Sequence, residues 1–415
     1  MHKKYTLYSL FVSCVAALSG LLFGYNTSVI SGVLLFITRD FQLTTFEQEV
    51  VVSTILIGAL LGALCGGFIA DAIGRKKTLF VTLVLFLIGV LTLSDSIGFN
   101  TLLIGRFVTG LGVGIVSMAA PLYIAEMSPP GSRGALVSIN QLFITIGILL
   151  AYIVAYAYAD RAAWREMFSF ALIPIVIQFI GLFFISETPA WLAGNLHKQA
   201  KKSTHWKELF SPKVRLPFLI GIGISVFQQI TGINTVIYYA PQIFQLAGYQ
   251  TAQTALFATI LVGAVNVLMT CIALWLIDLL GRRPLLIGGL IGMAASLSCL
   301  GVSFLDQGGL MALIGLLSYV AFFALSLGPV AWLIISEIYP LGIRGRAMGI
   351  ATFSNWVANY FVSLTFLTLI DILGPSNTFW LYAIICFLGL WFVIKFVPET
   401  KGKTLEQIQH FWKKS

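Results

Sequence analysis

The feature that most constrains this chain is a series of twelve apolar stretches separated by short polar connections. A helix needs about 20 mainly apolar residues to cross the hydrocarbon core of a bilayer. Hydrophobic residues make up 58% of the chain and charged residues 10%, which a water-soluble protein of 415 residues cannot bury. The sequence therefore predicts an all-α membrane protein with twelve transmembrane helices, near residues 8–30, 48–70, 78–95, 101–123, 134–158, 166–186, 215–239, 253–276, 284–304, 310–334, 347–370 and 377–397.

The basic residues are distributed unevenly between the two sides of these spans. If both termini are cytoplasmic, all but four of the 25 Lys and Arg residues lie on the cytoplasmic side. The exceptions are Arg39, Arg106, Arg161 and Arg165. This bias predicts cytoplasmic termini, and it explains the net charge of +9 as a topology signal and an attraction to membrane lipid. We therefore expect no nucleic-acid partner.

Charged motifs repeat along the chain at an offset of about 210 residues. Asp71-x-x-Gly74-Arg75-Lys76 follows span 2, and Asp278-x-x-Gly281-Arg282-Arg283 follows span 8. The other repeated elements are Glu126 with Arg133 and Glu337 with Arg344, and then Glu187 and Glu399 after spans 6 and 12. The repeat predicts two parallel six-helix bundles, 1–190 and 214–415, joined by a short cytoplasmic linker, 191–213, with a possible helix. Transporters built in this way hold their substrate between the two halves.

These charged residues have two alternative interpretations. They could anchor the topology and cap helices, or they could pair across neighbouring loops and form a gate that latches the cytoplasmic side. For one motif alone the first reading is better, and three paired sets favour the latch.

No signature of catalysis or of metal binding is present. The sequence contains no Walker A motif, and its four His residues form no cluster. Its five Cys residues form no CxxC pair. We therefore predict no enzyme activity, no cofactor and no metal site.

The motifs resemble the sugar porter family of the major facilitator superfamily over essentially the whole chain. The specific ones are the run from Gln228 to Tyr239 and the closing Pro398-Glu399-Thr400-Lys401-Gly402. Others are Gly105-Arg106-Phe107, Pro121-x-Tyr123-x-x-Glu126, Asn140-Gln141, Trp164-Arg165, Gly328-Pro329-x-x-Trp332, Ser336-Glu337-Ile338-Tyr339-Pro340 and Asn355-Trp356. The resemblance implies the major facilitator fold, a monosaccharide substrate and alternating access. We expect a monomer in a bacterial inner membrane.

Uncharged amides inside the spans are suited to bind sugar hydroxyls, because an amide both donates and accepts hydrogen bonds. For Asn266 or Asn359 alone, bonding between helices is an equally good reading. A break in span 7 near Gly232 would bring its three amides together. Tyr238 and Tyr239 are candidates for an external gate, with interfacial anchoring as the rival. The candidate sugar-binding residues are Gln141, Gln228, Gln229, Asn234, Asn266, Trp332, Asn355 and Asn359.

The residue that bears most on whether sugar transport is coupled to protons is Asn26. Proton-coupled relatives have Asp at this position near an arginine that matches Arg106, whereas passive glucose facilitators have Asn. We found no Asp or Glu in the middle of any span, so we expect facilitative uniport, with Arg106 bound to another partner or facing water. A proton–sugar symporter, with Asn26 as an engineered substitution, is the alternative. A non-transporting sensor is disfavoured, because a long cytoplasmic extension would be expected.

Overall fold

A computed structural model describes residues 2–129, 133–196, 215–305, 308–339 and 344–402. The described residues form α-helices, one 3₁₀ helix at Ala159–Arg161 and connecting turns. The α-helices are α1 His2–Ser28, α2 Ile30–Asp40, α3 Thr45–Ile73, α4 Arg75–Ser94, α5 Phe99–Met127, α6 Arg133–Tyr158, α7 Trp164–Ser169, α8 Leu172–Phe183, α9 Pro189–Leu196, α10 Arg215–Ile230, α11 Ile233–Leu246, α12 Ala252–Leu280, α13 Arg282–Ser303, α14 Gly309–Leu325, α15 Leu327–Ile338, α16 Arg344–Leu373 and α17 Pro375–Phe396.

Twelve helical segments in the described ranges are long and apolar enough to cross a membrane, which confirms the predicted number of spans. Several segments consist of two helices in series, such as α10 with α11 and α14 with α15. The predicted end of the first span was wrong, because the helical segment continues through α2 as far as Asp40. The apolar length of a sequence finds the bilayer core but not the helical extensions beyond it.

The chain divides into two compact units. Unit 1 comprises Met1–Lys201, Ile237–Gln242 and Thr251–Gly263, and unit 2 comprises Lys202–Val236, Ile243–Gln250 and Ala264–Ser415. Two short segments after residue 236, Ile237–Gln242 and Thr251–Gly263, therefore belong to unit 1.

Glycines allow the helices of unit 1 to pack closely. A Cβ at Gly58 or Gly62 of α3 would meet a backbone carbonyl of α5, and a Cβ at Gly114 of α5 would meet the carbonyl of Ala59. Gly24 of α1 lies in the same way against the Ile144 carbonyl of α6. Close backbone approach of this kind stabilises helix pairs in lipid through van der Waals contacts. The hydrophobic effect does not drive association there, because lipid tails are as apolar as the helix surfaces.

In unit 2, α13 packs against α14 and α17, and α10 packs against α15 and α16. The side chain of Phe322 from α14 lies against Gly292 of α13. Large apolar side chains such as Phe68, Leu310 and Trp391 are exposed on the outer faces of the helices. In a bilayer these faces would contact acyl chains.

Candidate functional site

Span 7 is interrupted between Gln229 and Asn234. Helix α10 ends at Ile230 and α11 begins at Ile233, with Gly232 in the left-handed region at φ +94°. An added Cβ at Gly232 would lie 3.1 Å from the ring of Tyr382, so glycine suits both the backbone and the space. The turn brings Asn234 Nδ2 to 2.5 Å from Gln229 Oε1. The break predicted near Gly232 is confirmed.

Four amide side chains of unit 2 join in one hydrogen-bonded series, which we call the amide chain. It begins with Asn234, which donates to Gln229. Gln229 Nε2 donates to Asn355 Oδ1 at 3.0 Å, and Asn355 Nδ2 donates to Gln228 Oε1 at 2.7 Å. Asn355 also donates to the carbonyl of Ser225 at 2.9 Å. The amide chain therefore connects the broken helix α10–α11 to α16.

The amide chain ends on a second broken helix. Ser326 separates α14 from α15 with φ −127° and ψ −95°. Gln228 Nε2 donates to the carbonyls of Leu327 and Gly328 in the first turn of α15, at 2.8 and 3.2 Å. The half-buried Trp332 follows one turn later on the same helix. Broken helices expose backbone carbonyls to polar groups inside a membrane protein.

The amide chain is buried and carries no charge. Gln228 is 4% exposed, Gln229 7% and Asn355 4%, while Asn234 at the end of the series is half-buried. An amide can both donate and accept. Gln228, Gln229 and Asn355 each donate and accept within the amide chain or to backbone carbonyls, and Asn234 donates to Gln229. A ligand with several hydroxyl groups could exchange these bonds one for one, without the burial of an ion.

The other predicted binding residues lie outside the amide chain. Asn359 lies one turn after Asn355 on α16, where it accepts a hydrogen bond from Ser363 at 3.1 Å. Asn266 is buried on α12, and Gln141 is half-buried on α6 in unit 1. Within the described residues, no hydrogen bond links these three side chains to the amide chain.

Arg106 on α5 is fully buried and binds backbone carbonyls of two other helices. Nη1 donates to the carbonyl of Asn26 at 2.8 Å, Nε to that of Val51 at 3.3 Å and Nη2 to that of Val52 at 3.2 Å. The side chain of Asn26 donates instead to the carbonyl of Leu22 within α1, at 2.9 Å. The expected alternative partner of Arg106 is therefore the backbone of α1 and α3.

Sequence reasoning missed Glu49, whose side chain is 0% exposed on α3. It lies two and three residues before Val51 and Val52, the acceptors for Arg106. Glu49 is the second residue of the predicted span 48–70, at the edge of that span and not in its middle. An ionisable residue buried in a membrane protein is a candidate for function by default. Its position inside the predicted span was the available signal.

The two tyrosines of α11 are buried within protein, Tyr238 at 3% exposure and Tyr239 at 0%. They lie in the segment that belongs to unit 1, within electrostatic range of the Arg106 guanidinium. The neighbouring carbonyl of Ile237 accepts a hydrogen bond from Tyr152 at 2.9 Å, also inside unit 1. Burial of both phenols disfavours anchoring at a lipid interface and leaves the gate as a prediction.

The charged motifs of unit 1 cap a helix and form ion pairs. Glu187 accepts hydrogen bonds from the backbone N–H groups of Arg75 and Lys76 at 3.0 Å each, at the N-terminus of α4. The guanidinium of Arg75 pairs with Asp71 and with Glu126, both at 3.1 Å. A carboxylate is favourable at this helix end because of the helix dipole and the free N–H groups.

Unit 2 repeats this arrangement around Gly281. Glu399 accepts from the backbone N–H groups of Arg282 and Arg283 at 3.1 and 3.0 Å, at the N-terminus of α13. Arg282 pairs with Glu337 at 3.2 Å, as Arg75 does with Glu126. The same cap and ion pair therefore occur once in each unit.

Hydrogen bonds to the carboxylate of Glu399 affect its pKa. Burial raises the pKa of the Glu399 carboxyl, but hydrogen bonds from the backbone N–H groups of Lys401, Arg282, Arg283 and Thr400 together lower it by more. The pKa therefore lies below that of an ordinary glutamate. Hydrogen bonds that are made to the charged form favour it.

For three of the predicted gate residues the structure gives no side-chain partner. Arg133 is exposed at the start of α6. The side chains of Asp278 and Arg344 lie outside the described residues. The described ion pairs join residues of one unit, so a latch between loops of the two halves stays a prediction.

In the part of the chain that the structure describes, no group of three or more His, Cys, Asp or Glu side chains could hold a metal ion.

Comparison with known proteins gives a consistent result over the full chain. The family model described as "Sugar (and other) transporter" matches residues 12–205 and 193–412. A D-xylose transporter of Levilactobacillus brevis is 39% identical, with 96% of this chain and 94% of that protein covered. A galactose-proton symporter of Escherichia coli is also 39% identical, with 96% and 93% covered.

A glucose transporter of Staphylococcus epidermidis is 38% identical, with 98% of this chain and 97% of that protein covered. Among solved structures, the inward-open xylose transporter of Escherichia coli matches with a TM-score of 0.84 at 35% identity, over 97% of this chain and 99% of that one. These relatives are transporters, so this chain is a multi-pass plasma-membrane sugar transporter and not an enzyme. The chain belongs to the sugar porter family of the major facilitator superfamily, and its twelve helices form the major facilitator fold.

Proposed function

We propose that this protein transports a monosaccharide, a hexose or a pentose, by alternating access. The observation that carries the proposal is the amide chain of Gln228, Gln229, Asn234 and Asn355. The relatives named for xylose, glucose and galactose support the substrate class. A sugar ring presents alternating donors and acceptors, and amides match both functions.

Binding would proceed by exchange of hydrogen bonds. The half-buried Asn234 would release Gln229 Oε1 first, because it is the most accessible member of the series. The freed acceptor, and then Gln228 and Asn355, would bond to sugar hydroxyls. Trp332 would offer an aromatic face to the C–H side of the ring, and Gln141, Asn266 and Asn359 would complete the site. Because each lost amide bond is replaced by a bond to sugar, no buried polar group is left unpaired.

The two bundles predicted from the repeat, 1–190 and 214–415, would move about this site with the linker 191–213 between them. Parallel repeats of this kind expose a central site to each side in turn. Arg133, Asp278, Arg344 and the capped pairs would act as the cytoplasmic latch, and Tyr238 and Tyr239 as the external gate. We propose a monomer in the bacterial inner membrane, with cytoplasmic termini.

We favour uniport. The amide of Asn26 carries no proton at physiological pH, and its side chain bonds within α1. Arg106 is held by three carbonyls, so it needs no carboxylate at position 26 for hydrogen bonding. A proton could therefore not be carried by the pair at positions 26 and 106.

Proton symport is the second candidate, and one observation favours it. Glu49 is a fully buried residue on α3, the helix that supplies two of the three carbonyls that hold Arg106. A titratable acid in the translocation path is what a proton-coupled porter requires. Glu49 would then carry the proton that an acid at position 26 carries in coupled relatives.

Gln228→Ala tests the binding site. Uptake of labelled xylose, glucose or galactose into proteoliposomes is expected to fall about fivefold or more, because lost and unpaired buried hydrogen bonds cost about 1–3 kcal/mol. Asn377→Ala, at an exposed amide in the first turn of α17 that donates to the carbonyl of Leu373 at the end of α16, is the matched control and should transport normally. Normal uptake by a correctly inserted Gln228→Ala protein would remove the amide chain from the site.

A proton gradient tests the coupling mode. For a uniporter, sugar equilibrates across the proteoliposome membrane, and an inward proton gradient gives no accumulation above equilibrium. Accumulation that Glu49→Gln abolishes, while equilibrative exchange persists, would establish symport through Glu49 and refute uniport. Accumulation that survives in Glu49→Gln would refute both assignments.

A further inference from the structure

Three basic side chains lie around the turn that joins α12 to α13. Arg283 Nη2 donates to the carbonyl of Ile394 near the end of α17, at 2.6 Å. Lys401 Nζ donates to the carbonyl of Leu279 near the end of α12, at 2.8 Å. Lys395 Nζ lies 5.0 Å from the ring centroid of Trp391, on the surface of α17. We call Arg283, Lys395 and Lys401 the basic cluster.

The basic cluster keeps an excess of positive charge. Among the described residues, none of its members forms an ion pair with a carboxylate, since they contact carbonyls and aromatic rings. The nearby carboxylate of Glu399 accepts from backbone N–H groups. Each of the three cations therefore lies at this turn without a described ion pair to a carboxylate, and an external anion would be attracted to them.

The repeat indicates that the cap of α13 does not need this charge. At the offset of 212 residues between Glu187 and Glu399, Lys395 corresponds to Phe183 and Lys401 to Pro189. Unit 1 nevertheless forms the same cap, with Glu187 on the N-terminus of α4. A general need for positive charge at helix C-termini would apply to both units. The cap of α13 therefore does not require the two lysines of unit 2.

The surroundings of the cluster are apolar and open. Trp391 is 57% exposed, Leu279 54%, Leu280 51% and Ile394 50%. On a membrane-spanning helix, exposed apolar side chains beside lysine and tryptophan are typical of the boundary between acyl chains and headgroups. The ring of Trp391 also packs at right angles to Phe396, which lies under the same lysine. A ligand at this place would meet cations at one end and apolar side chains at the other.

We infer that the basic cluster binds the phosphate headgroup of an anionic phospholipid, whose acyl chains lie along Trp391 and the exposed leucines. The charge complementarity and the amphipathic surroundings both fit this one occupant. Arg283 and Lys401 contact the phosphate oxygens, and Lys395 sits between the headgroup and the indole ring. Basic clusters at membrane surfaces recognise anionic lipids in this way.

Brominated lipids test the site, because bromine on an acyl chain quenches tryptophan only at close range. The full-length protein is placed in phosphatidylcholine vesicles that contain increasing brominated phosphatidylglycerol or, separately, brominated phosphatidylcholine. Each basic residue near an anionic surface favours the anionic lipid by about fivefold. We expect half-maximal quenching at a phosphatidylglycerol fraction that is lower by roughly tenfold or more than the phosphatidylcholine fraction.

Three variants and a competitor decide the outcome. Lys395→Gln with Lys401→Gln should equalise the two lipids, and Trp391→Phe should remove the excess quenching. Lys77→Gln, at an exposed lysine near the cap of unit 1, should keep the excess quenching by the anionic lipid. An excess that persists in the double variant or in Trp391→Phe would overturn the assignment. Displacement of the lipid by inorganic phosphate would also overturn it, in favour of a site for the free anion.

Discussion

At the scale of single residues, the amide chain and the buried residues Arg106 and Glu49 belong to different units of this transporter. Neutral amides such as Gln228 and Asn355 bond to one another in unit 2. The buried ionisable residues Arg106 and Glu49 lie in unit 1. Neutral amides can exchange partners at low cost, whereas a buried guanidinium needs strong acceptors at all times. This difference explains why Arg106 donates to three carbonyls at once, whereas the amides can exchange their hydrogen bonds for bonds to a ligand.

Gly232→Ala tests the geometry of the amide chain. The left-handed backbone costs an alanine about 1–2 kcal/mol, and its Cβ would press on Tyr382. We expect reduced sugar uptake with a raised half-saturation concentration, measured in proteoliposomes. Gly248→Ala is the control, since Gly248 also has a positive φ, +102°, but has open space around it. Equal losses in both variants would mean that backbone strain alone is responsible, not the position of Asn234.

At the scale of elements, the helix ends and helix breaks carry the specific chemistry. The breaks at Gly232 and Ser326 place side chains and carbonyls of α10, α11 and α15 beside one another. The caps by Glu187 and Glu399 hold α4 and α13 at the ends of their units. Long regular helices supply the membrane crossing, and their interruptions supply polar groups where a substrate can use them.

The cap of α13 predicts a pH dependence of stability. Because the folded pKa of Glu399 is lowered, its contribution is complete above the unfolded pKa of about 4.3 and is lost as the pH falls through the folded value. Glu399→Gln should lower the melting temperature near pH 7, by an amount that corresponds to about 0.3–1 kcal/mol. The difference from wild type should vanish below the folded pKa, as followed by thermal melting in detergent.

Glu166→Gln is the control for that experiment, because Glu166 is exposed and lies outside the caps. It should melt like the wild type at every pH. A constant difference between wild type and Glu399→Gln down to strongly acidic pH would contradict the assigned role of the carboxylate.

At the scale of the whole molecule, each unit carries the same cap and ion pair, but the amide chain lies in unit 2 alone among the described contacts. An internal repeat thus supplies a common scaffold, and each unit has added its own chemistry. In the family as a whole, rocking of such repeats about a midplane site is the expected mode of action.

The two ends of α4 test the proposed orientation. With the native cysteines replaced by serine, Ile97→Cys lies just beyond the end of α4 and is 86% exposed, while Lys77→Cys lies in its first turn. The positive-inside bias predicts that Lys77 lies in the cytoplasm. An impermeant maleimide should label Ile97→Cys in intact cells and Lys77→Cys only after permeabilisation. The reverse pattern would invert the topology.

The sequence by itself determined the number of spans, the repeat, the break near Gly232 and the amide residues of span 7. Apolar length and motif spacing are properties of short segments, so they can be read without knowledge of the fold. Only the tertiary structure decided that Gln229 bonds to Asn355 and that Arg106 binds the carbonyls of Val51 and Val52. It also showed that Glu49 is fully buried. These facts depend on which faces of distant helices meet, and packing between segments far apart in the chain selects that register.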